Sequence, residues 1–256
     1  MTRRLALAAA LVLLLTLTVA APAVMIAPSP IPDRVAQADL VFVGKVTAIE
    51  DKTVMSKRFP GAGDKTEYRV ALVQIQDPVK GTKSLTHVRL GFVPPPPPPP
   101  APPPGAPQVF RSGGGRAPQL NHTVGQEALF FVKKHFDGDF YTAAMYFEVV
   151  EKKSGTFDKD LALARRCAKL LDDPRANLQA KNADDRLATA AMLLNRYRTP
   201  KAGTPNPKTE PIDAAESALI LKAIAAGDWT KQPNFQEVSP QFVFGRLNLK
   251  IGRAHV

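Results

Sequence analysis

Between positions 40 and 49 the chain reads Leu-Val-Phe-Val-Gly-Lys-Val-Thr-Ala-Ile, a run rich in β-branched and aromatic side chains. The pattern predicts a strand, with Gly44 at a bend or bulge. Residues 68–75 alternate Tyr68, Val70 and Leu72 with Arg69, Ala71 and Val73, nearer a period of two than any helical spacing, and Gly81 closes the next turn. Residues 86–93, 124–133 and 140–150 complete five predicted strands. The last two are joined through Phe136-Asp137-Gly138-Asp139. Asp-Gly between apolar runs signals a hairpin, because glycine accepts the positive φ of a tight turn. Residues 31–38 predict a short helix with Pro32 in its first turn, where a missing N–H is harmless. Residues 52–65, containing Pro60-Gly61-Ala62-Gly63, predict a loop.

After Glu151 the apolar period lengthens from two to about 3.6. Residues 157–171 place Leu161, Ala164, Ala168 and Leu171 on one stripe that stops at Asp173-Pro174. Residues 183–197 do the same with Leu187, Ala190, Ala191, Leu194 and Tyr197. A third helix starts at Asp213, with Glu216 three residues on as in a capping box and Gly227 at the C-terminal cap; it is expected to bury Ala218, Leu219, Leu221, Ile224 and Ala225. Trp229 is expected to plug the end of these helices. They form either a layer on the strands or a small bundle of their own. The acidic pairs 172–173 and 184–185 fall at helix boundaries, where carboxylates cap free N–H groups.

The insertion 94–118 interrupts the strand region. Its first eleven residues, 94–104, are proline except for Ala101 and form a polyproline II rod of about 34 Å at about 3.1 Å per residue; Gly113-Gly114-Gly115 lies in the remainder. Long loop insertions cost little stability, and a proline arm can also dock on aromatic grooves. At the N-terminus Arg3 and Arg4 precede an uncharged run to Val19 and the small-residue pattern Ala21-Pro22-Ala23, the layout of a secretory signal over residues 1–23. That places the mature chain outside the cytoplasm, in a periplasm, cell envelope or extracellular space, with no stable membrane span after cleavage. The single cysteine, Cys167, rules out an internal disulfide and sits on the apolar face of the first long helix, where a buried inert thiol is expected. The formal charge of +11 is concentrated at +6 in residues 151–256, interspersed with acids, which fits a solvated surface better than a nucleic-acid groove. The tail Ile251-Gly252-Arg253-Ala254-His255-Val256 back-translates as ATC GGA AGA GCA CAC GTC and resembles a short-read sequencing adapter. Residues 251–256 are therefore expected to be an assembly artefact, with 241–249 the start of an element whose partner is missing.

Residues 35–150, about under half of the chain, resemble the netrin-like, tissue-inhibitor-of-metalloproteinases type of OB-fold. The resemblance is carried by a short helix, then Ala38-Asp39-Leu40-Val41-Phe42-Val43-Gly44, then Tyr68-Arg69-Val70 and Val79-Lys80-Gly81, then Val124-Gly125-Gln126-Glu127-Ala128-Leu129-Phe130. It implies an OB-type barrel, which binds through a sheet face and its flanking loops. In the inhibitors a mature N-terminal cysteine meets the protease zinc; this chain has none near that end, so those residues do not carry over.

The fold class expected is α+β: a five-stranded OB-like β-barrel over residues 31–150 followed by a small helical region over 151–250. No catalytic, cofactor-binding or metal-ligating residue is assigned. His122, His135, Asp137 and Asp139 fall close together in sequence, yet two carboxylates at alternate positions fall short of the six or more oxygens of a calcium loop. The expected function is a non-enzymatic binding protein of the envelope, contacting another exported protein or an envelope polymer through barrel-rim loops. The rivals are an envelope enzyme whose catalytic part follows Lys250 and a protease-inhibitor-like module.

Overall fold

The computed structural model describes residues 28–95, 120–143, 145–199, 211–230 and 237–247. The signal-like segment 1–23, the insertion beyond Pro95 and the tail 251–256 lie outside them. Among the described residues are strands β1 Leu40–Ile49, β2 Val54–Lys57, β3 Lys65–Lys80, β4 His87–Phe92, β5 Glu127–Lys134, β6 Tyr141–Thr142 and β7 Val149–Glu151, and helices α1 Ile31–Gln37, α2 Phe157–Leu170, α3 Pro174–Asn177, α4 Ala183–Arg198, α5 Ala214–Ala225 and α6 Pro240–Gly245. The protein is α+β with one mixed sheet, in the order β1–β3–β4–β6–β5–β7; β2 is attached to β3, and β5 also pairs with β1. All pairings are antiparallel except that of Leu90 in β4 with Tyr141 in β6.

β1 and β5 read as continuous apolar runs because both of their faces are buried. Leu40, Phe42 and Val46 join Ala128, Phe130 and Val132 in a core filled from the other side by Ala71, Val73, Val88 and Leu90. The alternate residues, Val41 and Val43 with Leu129 and Phe131, pack under α1 and α2 against Val35, Ala164 and Cys167. Gly44 stands at a register shift in the β1–β3 ladder, where a Cβ would meet Val73 Cγ1 at 2.8 Å and the Gln74 carbonyl at 2.9 Å. Gly81 takes φ +73 against the Asp39 carbonyl, so the turn it closes requires glycine twice over, for conformation and for space. α4 is the hub of the helical side: Met192 faces the sheet-side core, while Leu187, Ala190, Ala191 and Leu194 meet Ile220, Ala223, Ile224 and Val243.

Four local expectations are corrected. First, residues 54–57 of the expected loop form β2, paired Val54 to Tyr68 through Lys57 to Lys65, and β3 begins three residues earlier than expected. These arm residues are exposed or half-buried except for Ser56, and they carry no apolar alternation to read. Second, the expected strand 140–150 is split into β6 and β7, which pair with the two ends of β5. The excursion between them is held by half-buried Arg34, which donates to the Phe147 carbonyl at 2.6 Å and lies over the Phe147 ring. Third, α5 buries Ile220, Ala223 and Ile224, while Ala218, Leu221 and Ala225 are exposed. Its Asp213 cap accepts from Ala215 and Glu216 N–H as expected, but Glu216 accepts from the Tyr197 hydroxyl instead of completing a reciprocal box. Gly227 has no positive φ; it makes room for Pro240. Fourth, residues 240–245 form α6, which has its partner: Val243 is buried against α4 and α5. Trp229, 44% exposed, sets its edge against Phe244 across this junction, more a lid than a plug.

Candidate functional site

The richest concentration of chemistry lies where β2 meets the turn between β5 and β6. Ser56, on the inward face of β2, is buried, as is His135 at the end of β5. Asp137, two residues on, accepts from the Ser56 hydroxyl at 3.1 Å and from the Lys57 N–H at 3.0 Å. Those two donors, the backbone N–H first, hold the Asp137 carboxyl below its ordinary pKa. The Asp137 N–H in turn donates to His135 Nδ1 at 3.3 Å, while the Ser56 oxygen lies 3.4 Å from the same nitrogen. Burial lowers the His135 pKa, and its ring is stacked on Phe140 with centroids 4.7 Å apart.

Serine, histidine and aspartate are thus together, but not as a catalytic relay. Such a relay needs the hydroxyl on one ring nitrogen and the carboxylate on the other. Here Ser56 and Asp137 share the Nδ1 side, the only hydroxyl proton goes to Asp137, and His135 Nε2 is buried without a partner. Because Nδ1 accepts a backbone N–H, the neutral ring carries its proton on Nε2. The geometry makes a latch: the turn carboxylate ties off the exposed edge of β2 and fixes the hairpin to the β5–β6 turn.

The residues that sequence brings close are therefore sorted by the fold into separate settings. Asp139 bonds Lys134 at 2.6 Å, which holds its pKa low, and its carbonyl accepts from Arg89; Arg89 also grips Glu50 through two nitrogens. His122 is buried edge-on to Phe92, with Nδ1 3.0 Å from Gln126 Oε1, and Gln126 passes on to Glu151 at 3.2 Å. Among the described residues no three of His, Cys, Asp and Glu gather to hold a metal. Cys167 is fully buried and its thiol is pushed up to about 12 by desolvation, the environment its helical stripe predicts. Ser56 is the residue that sequence reasoning missed; once β2 goes unread, nothing local marks it.

The latched loops carry large apolar side chains outward. Phe59 beyond β2 is 59% exposed, Met55 on β2 is 55% exposed, and Phe136 in the turn is 38% exposed. No protein-family model matches this chain, and no curated protein does. Among the described residues no helix is long and apolar enough to cross a membrane.

Proposed function

We propose that this chain is an exported, non-enzymatic binding module of the cell envelope, whose contact surface is the rim formed by the β2–β3 hairpin and the β5–β6 turn. The fold reading beneath it is an OB-like barrel. Its support is that the pairings run in a ring, β1–β3–β4–β6–β5 and back to β1, with β4 and β6 parallel. The netrin-like resemblance of residues 35–150 likewise implies an OB-type barrel. Export rests on the three-part layout of residues 1–23.

The observation that carries the function is the latch. Ser56, Lys57 and Asp137 fasten two loops that would otherwise fray, and those loops present Met55, Phe59 and Phe136 to solvent. Ordering a loop in advance lowers the entropy cost of binding, and exposed aromatic anchors are the residues that dominate interfaces. The partner on this reading is another exported protein or an envelope polymer.

The test is cross-linking of the mature chain in an envelope extract beside the double variant Phe59→Glu, Phe136→Ser. Both positions are exposed, so the fold is expected to persist, as checked by circular dichroism. The wild type should enrich a defined partner that the variant loses. An identical set of captured partners from both chains overturns the rim as the contact surface. A third chain lacking residues 94–118 separates the proline arm from the rim, since only the arm is missing from it.

A further inference from the structure

We propose that the cavity between α1, α2, α4 and the segment entering α6 binds a small organic cation with an apolar body, such as an alkylamine. The cavity has a volume of about 240 Å³ and lies on the helical side, walled by Leu163, Leu170, Leu187 and Pro240. Its lining includes Cys167, whose fully buried thiol makes no hydrogen bond among the described residues. Burial keeps that thiol neutral, with its pKa pushed up to about 12, so this part of the lining favours an apolar body and offers one weak donor. Small-ligand sites have this build, a mostly apolar hollow with a few polar groups at fixed places.

The sign of the ligand's charge follows from the charged residues of the lining. Among the described residues these are Asp184, Asp228 and Glu237, against one cation, Arg166. Arg166 is already paired with Asp185, which stands outside the lining, at 2.6 Å. Asp228 is occupied by the N–H and hydroxyl of Thr230. Among the described residues Asp184 and Glu237 form no ion pair, so an ammonium group beside them meets two carboxylates while its chain enters the hollow. An anion of the same shape meets three carboxylates against one guanidinium that is already paired.

The experiment titrates the full chain with hexylamine, hexanol and hexanoate, reading affinity by calorimetry and position by the methyl resonances of Leu163, Leu170 and Leu187. Each exposed charge pair is worth about 1.5- to 5-fold in affinity. Hexylamine is expected to shift those methyls and to bind about fivefold or more tighter than hexanol, with hexanoate weakest. The surface variant Asp184→Asn, Glu237→Gln, with an unchanged melting temperature, should bring hexylamine to the level of hexanol. Equal binding of amine and alcohol, tighter binding of hexanoate, shifts confined to other residues, or no binding by any of the three overturns the assignment. The rim variant Phe59→Glu, Phe136→Ser should bind hexylamine as the wild type does, so this test stands or falls apart from the rim reading.

Discussion

Phe140 is enclosed by two glycines. A Cβ on Gly91 or on Gly138 would stand 2.3 Å from a carbon of the Phe140 ring, which is further packed by Tyr68 at 5.1 Å and stacked on His135. Overfilling a close-packed site of this kind forces off-rotamer side chains and backbone shifts costing about 1–3 kcal/mol. Gly138→Ala and Gly91→Ala should each lower stability by that amount in urea unfolding. Gly61→Ala, where nothing lies within 4 Å, should cost less, through its φ of +86 alone. If Gly138→Ala unfolds at the wild-type midpoint, the aromatic box is looser than described. The Asp-Gly pair marks the hairpin correctly from sequence, but for a different reason than the usual one. Gly138 is needed for the space taken by a ring two residues away and not for positive φ. Packing of that sort has no local signature, and the same holds for Ser56, whose partners lie about 80 positions on.

At the scale of elements, the contact that ties the end of the described chain to its start is a two-pronged ion pair. Arg246, just past α6, donates to both oxygens of buried Asp33 in α1, 213 positions away, with its guanidinium 4.3 Å from the centre of the Phe242 ring. Removing one partner of a buried pair costs about 3–5 kcal/mol; Arg246 retains some exposure, so Arg246→Ala should cost about 2–3 kcal/mol, part of it lost ring contact. Arg246→Lys should recover only part of this, since an ammonium cannot bridge both oxygens in the plane of the carboxylate. A thermal melt in which Arg246→Ala matches the wild type removes the clamp. Elements whose two faces are both buried, or whose stripe is narrow, are the legible ones: β1 has the bounds its texture predicts and α4 ends within one residue of them. α5 is misread because apolar residues surround it, and only Ile220, Ala223 and Ile224 are buried against α4 and α6. β2 and α3 are too short and too polar for any period to appear.

Over the whole molecule, the helices do not stand apart from the strands, because one apolar cluster runs from α1 and α2 into β1, β5 and β7. The succession of strands and then helices was legible from alternation and turn residues; the pairing order, the mixed sheet's parallel contact and the ion pairs across the fold are matters of three-dimensional proximity that no spacing encodes. This shared core also gives stability a predictable pH dependence. His122 is lowered in pKa by burial against Phe92 and Phe130, more than Gln126 and Glu151 offset, and His135 is lowered by burial more than Asp137 and the Lys57 backbone offset. With folded values below the unfolded value of about 6.5, the unfolded chain binds more protons than the native one in mild acid, so stability is full above about pH 6.5 and falls as pH drops through the folded values. The slope for His122 has a ceiling of about 1.4 kcal/mol per pH unit. Carboxylates such as Glu50, held low chiefly by the Arg89 hydrogen bond, add their own loss only below about pH 4.5. Urea midpoints measured from pH 7 to pH 5 should therefore fall for the wild type and fall less steeply for His122→Phe, whose ring keeps the contacts with Phe92 and Phe130. A wild-type midpoint that stays level or rises toward pH 5 would show that at least one of these imidazoles reaches solvent as a cation in the folded chain.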